Sequence, residues 1–362
     1  MRRPNNFIFP VLLLFILFIF CLPAQAQEPQ IKAQSAVLID AQNGQILYDK
    51  EASLPLPPAS CGKIITAITA LEMADTQLLC TVSQSASAVG ESSIHIHAGD
   101  VFTLHDLLKG ALIKSGNDAC FAIAENMAGS EPFFVYWLNM KSLAIGAFSA
   151  NLKNTNGLPQ EGHVISAYDL ALVARYAMRD QRFAAIVQMK TASIGSGDTA
   201  RSLKNTNKLL WQSDEVTGIK TGTTDAAGAC LVASLERDGR QLIAVVFHSP
   251  DRYEEALKLL QYGADHTKAS LLAEKGEIIA AIPIKKCKNK LLSVVAASDL
   301  YYCYEESAGQ GLHMQWQIEK NLQAPIEKYA LVGQVMVVDK NNNIVAKSDL
   351  LAAEKIEKKG FF

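Results

Sequence analysis

Between Ser60 and Met73 the chain carries Ile64-Ile65-Thr66-Ala67-Ile68-Thr69-Ala70-Leu71, apolar or small nearly all round, after Pro55, Pro57 and Pro58. This predicts a helix from about Ser60 to Met73, and a helix without a polar face is a buried, central one. The fold therefore has to be thick enough to surround it. Lys63 is the only charged residue between Ser60 and Leu71, so the same helix carries an ammonium group into the place least able to solvate it.

The surroundings of that helix read as a mixture of strands and helices. Short β-prone runs at 36–40 and 45–48 flank Ala41-Gln42-Asn43-Gly44, and Asn-Gly between apolar runs is a hairpin signal. Helical patterns follow at 104–114, 118–127, 133–143 and 167–178. Strands are expected at 218–220, 229–235 and 241–247, the last two joined by Glu236-Arg237-Asp238-Gly239, with a helix over 253–262. After about Ala269 the character changes. Short β-rich pieces at 278–284, 291–296, 300–304, 313–318, 331–339 and 344–347, separated by Gly309-Gln310-Gly311 and Asn341-Asn342-Asn343, predict a small all-β domain of roughly 90 residues.

The chain's first residues are not expected in the fold. Arg2 and Arg3 precede an apolar run over 7–22 that ends in Ala24-Gln25-Ala26, the pattern of a secretory signal peptide cut after Ala26. Bulky Phe20 before Cys21 is a poor fit to lipoprotein processing. The expected division is a signal peptide over 1–26, a catalytic domain over 27–268 and a β-rich domain over 269–362. Without Arg2 and Arg3 the chain keeps 32 basic against 36 acidic side chains, which argues against a nucleic-acid partner. The final Glu357-Lys358-Lys359-Gly360-Phe361-Phe362 is too short for an amphipathic anchor, so at most a weak membrane association is expected. An exported chain with six remaining cysteines allows disulfides, whose pairing the sequence leaves open. Cys120 and Cys230 lie in apolar runs, which favours buried thiols. No Cys-x-x-Cys pair occurs, the spacing is too irregular for a metal site, and no cofactor is expected. His95 and His97 alternate on an expected strand without a third ligand.

Three short elements carry chemistry. Ser60-Cys61-Gly62-Lys63 puts a hydroxyl and an amine on one helical face, and a serine is a poor nucleophile until a base takes its proton. A desolvated Lys63 would be that base in its neutral form. Ser115-Gly116-Asn117 follows at an expected helix junction. Lys220-Thr221-Gly222 comes third, on an expected strand edge where glycine lets a ligand approach the backbone. Taken singly they read as a capped helix start, a helix junction and a turn. Together and in order, Ser-x-x-Lys, Ser-x-Asn and Lys-Thr-Gly form the signature of serine β-lactamases and penicillin-binding proteins.

The match extends beyond the signature. Pro57-Pro58-Ala59-Ser60, Ser115-Gly116-Asn117-Asp118-Ala119, Asn205-Thr206-Asn207-Lys208-Leu209-Leu210 and Gly218-Ile219-Lys220-Thr221-Gly222-Thr223-Thr224 resemble low-molecular-mass penicillin-binding proteins of the D-alanyl-D-alanine carboxypeptidase type. The tail, with Ile282-Pro283-Ile284 and Ala324-Pro325-Ile326, resembles the β-domain those enzymes carry. The resemblance implies an α/β (α+β) fold: an antiparallel sheet flanked by helices, a helical subdomain and a small C-terminal all-β domain. It implies a serine peptidase acting on peptidoglycan stem peptides and acylated by β-lactam antibiotics. By the same resemblance Ser60 is the nucleophile, Lys63 its proton acceptor, and Ser115 a proton relay whose hydroxyl Lys220 polarises. Asn117 binds the substrate amide, and the N–H groups of Ser60 and Thr223 form the oxyanion hole. Thr221, Gly222, Thr223 and Arg252 line the place of the terminal carboxylate. Asn156 stands where many relatives have a histidine. A class A β-lactamase would need a water-activating glutamate, and Glu131, Glu161 and Glu215 lack a recognisable setting for it. The same three elements would also serve a D,D-endopeptidase, or persist in a non-catalytic wall-binding protein.

Overall fold

All six residues of the strand Ser35–Asp40 are buried, with Val37 and Ile39 in one apolar cluster and Ala36 and Leu38 in another. A strand covered on both faces belongs inside a layered fold, and its run is then continuously apolar. The computed structural model, which describes residues 28–287, 291–305, 311–320, 322–340 and 342–358, places it second in a five-stranded sheet. The order is Ile46–Lys50, Ser35–Asp40, Arg240–Phe247, Gly228–Arg237 and Val216–Thr224, antiparallel throughout. The signal-peptide segment lies outside the described residues.

Helix Arg252–His266 covers one face of the sheet through Ala256, Leu259 and Leu260. The other face meets Lys63–Met73, Ala167–Met178 and the smaller helices. The Lys63–Met73 helix is buried from Lys63 through Leu71, as its uninterrupted apolar run requires. Burying each of Ile64, Ile65, Ile68 and Leu71 stabilises the fold by about 1.5–3 kcal/mol. Helices Asn117–Ala128 and Glu131–Ile145 complete the helical side.

One local expectation is refined and another is corrected. The helix expected over 104–114 is Leu104–Lys109 followed by a wider π turn, Gly110–Lys114, which ends with Ser115 in the left-handed region at φ 69°. His95 and His97 are not on a strand. Ile94 and Ile96 are buried, the two histidines are exposed, and the N–H groups of Ile94 and Ile96 are taken by the Asp118 carboxylate at 3.1 and 3.4 Å.

Beyond the last helix, strand Thr267–Ala273 pairs with Leu300–Glu305, so the expected division at residue 269 falls inside a strand. A five-stranded sheet follows in the order Ile278–Pro283, Leu291–Ala296, Ile344–Ala352, Leu331–Val338 and His313–Ile318. It closes over Leu292, Val294, Val332, Val335 and Leu350. The Asn43–Gln45 hairpin tip holds this unit by main-chain recognition. The Gln45 side chain donates to Cys303 O and accepts from Cys303 N, both at 2.7 Å, and Asn43 Nδ2 donates to Tyr301 O at 3.0 Å. Cys61, Cys80, Cys120, Cys230 and Cys303 are buried free thiols.

Candidate active site

Ser60 lies in the 3-10 turn Ala59–Gly62 that leads into the Lys63–Met73 helix. Ala59 before it has φ +46°, a left-handed conformation that a non-glycine residue adopts only where its surroundings impose it. Two glycines let those surroundings close in. A Cβ on Gly222 would stand 2.9 Å from Ser60 N, and one on Gly157, at φ +86°, would stand 1.9 Å from Ala59 O. The Lys-Thr-Gly glycine thus admits the chain's own Ser60 turn against the strand edge, where the sequence suggested room for a ligand.

Lys63 is wholly buried, and its Nζ has three neighbours: Ser60 Oγ at 2.7 Å, Asn117 Oδ1 at 2.7 Å and Asn156 O at 2.5 Å. The orientation of the Asn117 amide follows from its Nδ2, which donates to Gly90 O at 2.9 Å. Asn117 Oδ1 and Asn156 O only accept hydrogen bonds. They take both protons of a neutral amine and leave its lone pair facing the serine hydroxyl. Burial lowers the Lys63 pKa to about 8, which makes that neutral form accessible.

Lys220 is also wholly buried, and its pKa falls to about 7, first through burial and then through the Lys63 charge. Its Nζ donates to Thr221 O at 2.9 Å. The expected link from Lys220 to Ser115 is not made: among the described residues Ser115 Oγ has no hydrogen-bond partner. The thiols nearby add no charge, since burial raises Cys61 and Cys120 to about 12.

Arg252 opens the helix Arg252–His266, and its Nη1 donates to Gly222 O at 2.7 Å and Thr223 Oγ1 at 2.6 Å. Glu255 is engaged with Ala33 N and Ser249 Oγ, and Glu254 is exposed. Arg252 is therefore tied to the Lys-Thr-Gly edge rather than left as a solvated arginine beside those acids. Thr221 Oγ1 lies 2.7 Å from Thr206 Oγ1.

Residues 23–251 match the family model described as D-alanyl-D-alanine carboxypeptidase, and residues 268–358 match the one described as penicillin-binding protein 5, C-terminal domain. The chain belongs to the D-alanyl-D-alanine carboxypeptidase family. Among curated relatives, it is 31% identical to D-alanyl-D-alanine carboxypeptidase DacF of Bacillus subtilis, across 91% of this chain and 87% of that protein. Among solved structures, penicillin-binding protein 5 of Haemophilus influenzae superposes with a TM-score of 0.81 at 26% identity, over 92% of this chain and 100% of that one. A peptidoglycan synthesis regulatory factor (PBP3) of Streptococcus pneumoniae gives a TM-score of 0.73 at 25% identity, over 91% and 100% of the two chains. Both matches span sheet, helices and β-domain, so the mixed fold expected from the sequence holds.

Within this carboxypeptidase-family site, two contributors escaped sequence reasoning. Asn156 attracted notice only for not being a histidine, yet its main-chain carbonyl is what Lys63 meets. The signal was the neighbouring Gly157. Thr206 lay inside a motif without a role of its own. None of the three glutamates weighed for water activation bonds Ser60 or Lys63. Glu131 Oε1 accepts from Thr155 N at 3.0 Å and Thr155 Oγ1 at 2.7 Å, Glu215 pairs with Arg237 at 2.6 Å, and Glu161 is exposed.

Proposed function

We propose that the protein removes the terminal D-alanine from peptidoglycan stem pentapeptides through an acyl-enzyme on Ser60, and that penicillins acylate the same hydroxyl. The observation that carries this reading is the 2.7 Å approach of Lys63 Nζ to Ser60 Oγ, with two acceptor-only carbonyls on the other sides of the amine. Ser60 Oγ attacks the carbonyl carbon between the two D-alanines while its proton passes to Lys63 Nζ. The oxyanion is received by the backbone N–H groups of Ser60 and Thr223, each donor worth roughly 3 kcal/mol. On collapse the C–N bond breaks, and the departing amine takes a proton through Ser115 Oγ, which no group among the described residues occupies. Lys220 polarises that side of the cleft through the N–H groups of its buried amine. Water then attacks the ester, releasing the shortened peptide and restoring Ser60.

Asn117 Nδ2 keeps one proton beyond its bond to Gly90 for the substrate amide. Thr221, Thr223 and Arg252 receive the free carboxylate, an anion that calls for charge-assisted donors. Ala24-Gln25-Ala26 supports cleavage after Ala26 and work outside the cytoplasmic membrane; among the described residues no helix is long and apolar enough to cross one.

Labelling with a tagged penicillin tests the reading. Wild-type protein is expected to take one label at Ser60, while Ser60→Ala and Lys63→Ala lose it by a factor of about 1,000 or more. Retained labelling of Ser60→Ala would overturn the assignment, and failure of the wild type to label would favour a wall-binding scaffold. The engagement of Glu131 and Glu215 elsewhere supports slow release of the penicilloyl group, where a β-lactamase would turn it over.

A further inference from the structure

Thr206 uses all three of its polar groups, each toward a different wall of the cleft. Its N–H donates to Ile113 O at 3.1 Å, in the turn that delivers Ser115. Its hydroxyl meets Thr221 Oγ1 at 2.7 Å on the Lys-Thr-Gly strand. Its carbonyl accepts from Tyr253 Oη at 2.9 Å, on the helix that begins with Arg252. Arg252 in turn lies 5.0 Å from the centre of the Tyr253 ring, with Nη2 at 3.4 Å from Tyr253 Oη.

The flanking residues hold Thr206 in place without taking part. Asn205 Nδ2 donates to Met189 O at 2.9 Å, and Asn207 Nδ2 donates to Gly218 O at 2.9 Å. Thr206 itself is only half-buried, with its hydroxyl toward the cleft strand.

We infer that Thr206 is a specificity-determining positioning residue that turns the Thr221 hydroxyl proton toward a substrate's free carboxylate. Two facing hydroxyls share one proton between them: one donates and the other accepts. If Thr206 donates, the Thr221 oxygen is occupied as an acceptor and its own proton is left for an anion in the cleft. A hydroxyl already accepting a bond is also a better donor, because chained hydrogen bonds polarise one another. Neither hydroxyl has another hydrogen-bond partner among the described residues, and the direction that leaves a Thr221 proton free for an anion is the one in which Thr206 donates. Through Tyr253, the same residue ties the two carboxylate donors, Thr221 and Arg252, to a common support.

The inference rests on the carboxylate-binding role proposed above, so the experiment separates the two. The full chain is assayed on an acyl-D-alanyl-D-alanine peptide and on the same peptide with a C-terminal amide, comparing kcat/KM. Wild type is expected to favour the free acid, and Thr221→Val to lose that preference. Thr206→Val should lose about tenfold on the free acid, mainly in KM, with the amide unchanged; this is about the worth of one hydrogen bond to a charged group. Thr206→Ser should restore it. Equal losses of Thr206→Val on acid and amide would reduce Thr206 to a structural residue and overturn the inference, as would an unchanged preference. A wild type indifferent to the free acid would instead overturn the carboxylate reading itself.

Discussion

The two buried lysines set the chemistry at the scale of single residues, and both respond to pH with a definite sign. The base role proposed for Lys63 requires its neutral form, and burial lowers its pKa to about 8. Acylation by penicillin is therefore expected to fall about tenfold per pH unit below that value and to level off above it. Measuring the second-order acylation rate from pH 5.5 to 9.5 checks this, and a flat profile would remove Lys63 as base. Lys220 invites a stability test. Its folded pKa lies near 7, below that of a solvated lysine, so the protonated form penalises the folded state. Lys220→Met is expected to raise Tm by about 3–6 °C at pH 6 while abolishing turnover. The gain should shrink as pH rises from about 7 toward 10.5, where the unfolded chain also carries a neutral amine. Calorimetry at pH 6 and 9.5 measures the difference. The pairing of Ser60 with Lys63 was legible because a spacing of three puts both side chains on one helical face and because Ser-x-Asn and Lys-Thr-Gly follow in order. The Asn156 carbonyl was not, since a main-chain acceptor leaves no mark in residue identity, and Thr206 was hidden because one hydroxyl among many carries no pattern.

At the scale of elements, the Ser60 turn is a wedge held between two glycine-bearing segments. Gly157→Ala would drive a methyl group into Ala59 O, and its positive φ is itself unfavourable for alanine. The expected outcome is a loss of more than about 2 kcal/mol in stability and at least tenfold slower acylation, read by thermal melts and penicillin labelling together. Normal acylation in this variant would show that Ser60 does not depend on the 157 loop. The long helices were readable from their periodicity, and Ala167–Met178 occupies the span expected. The π turn over Gly110–Lys114 was not, because a local widening leaves the apolar spacing almost unchanged. The strand expected around His95 and His97 failed for a reason outside its own sequence. The Asp118 carboxylate captures the N–H groups of Ile94 and Ile96, so alternation survives without a partner strand.

Across the whole molecule, the strand register sets where the two ends of the sheet lie. Gly222 pairs with Cys230 at one end, and Glu236 pairs with Gln241 near the other, next to the hairpin that grips Tyr301 and Cys303. Six residues along a strand span about 20 Å, so the C-terminal β-unit is attached well away from the cleft proposed to receive a polymer. The change to short β-rich pieces made a separate β-region legible. Strand order was not, because runs buried on both faces look alike wherever they sit. Wherever that polymer ends in a free D-alanyl-D-alanine, the cleft is expected to remove a single residue. The most direct measurement is mass spectrometry of a synthetic stem pentapeptide incubated with the full chain: loss of one alanine, absent in Ser60→Ala, is the expected result, whereas an intact pentapeptide, or one equally shortened by Ser60→Ala, would contradict it.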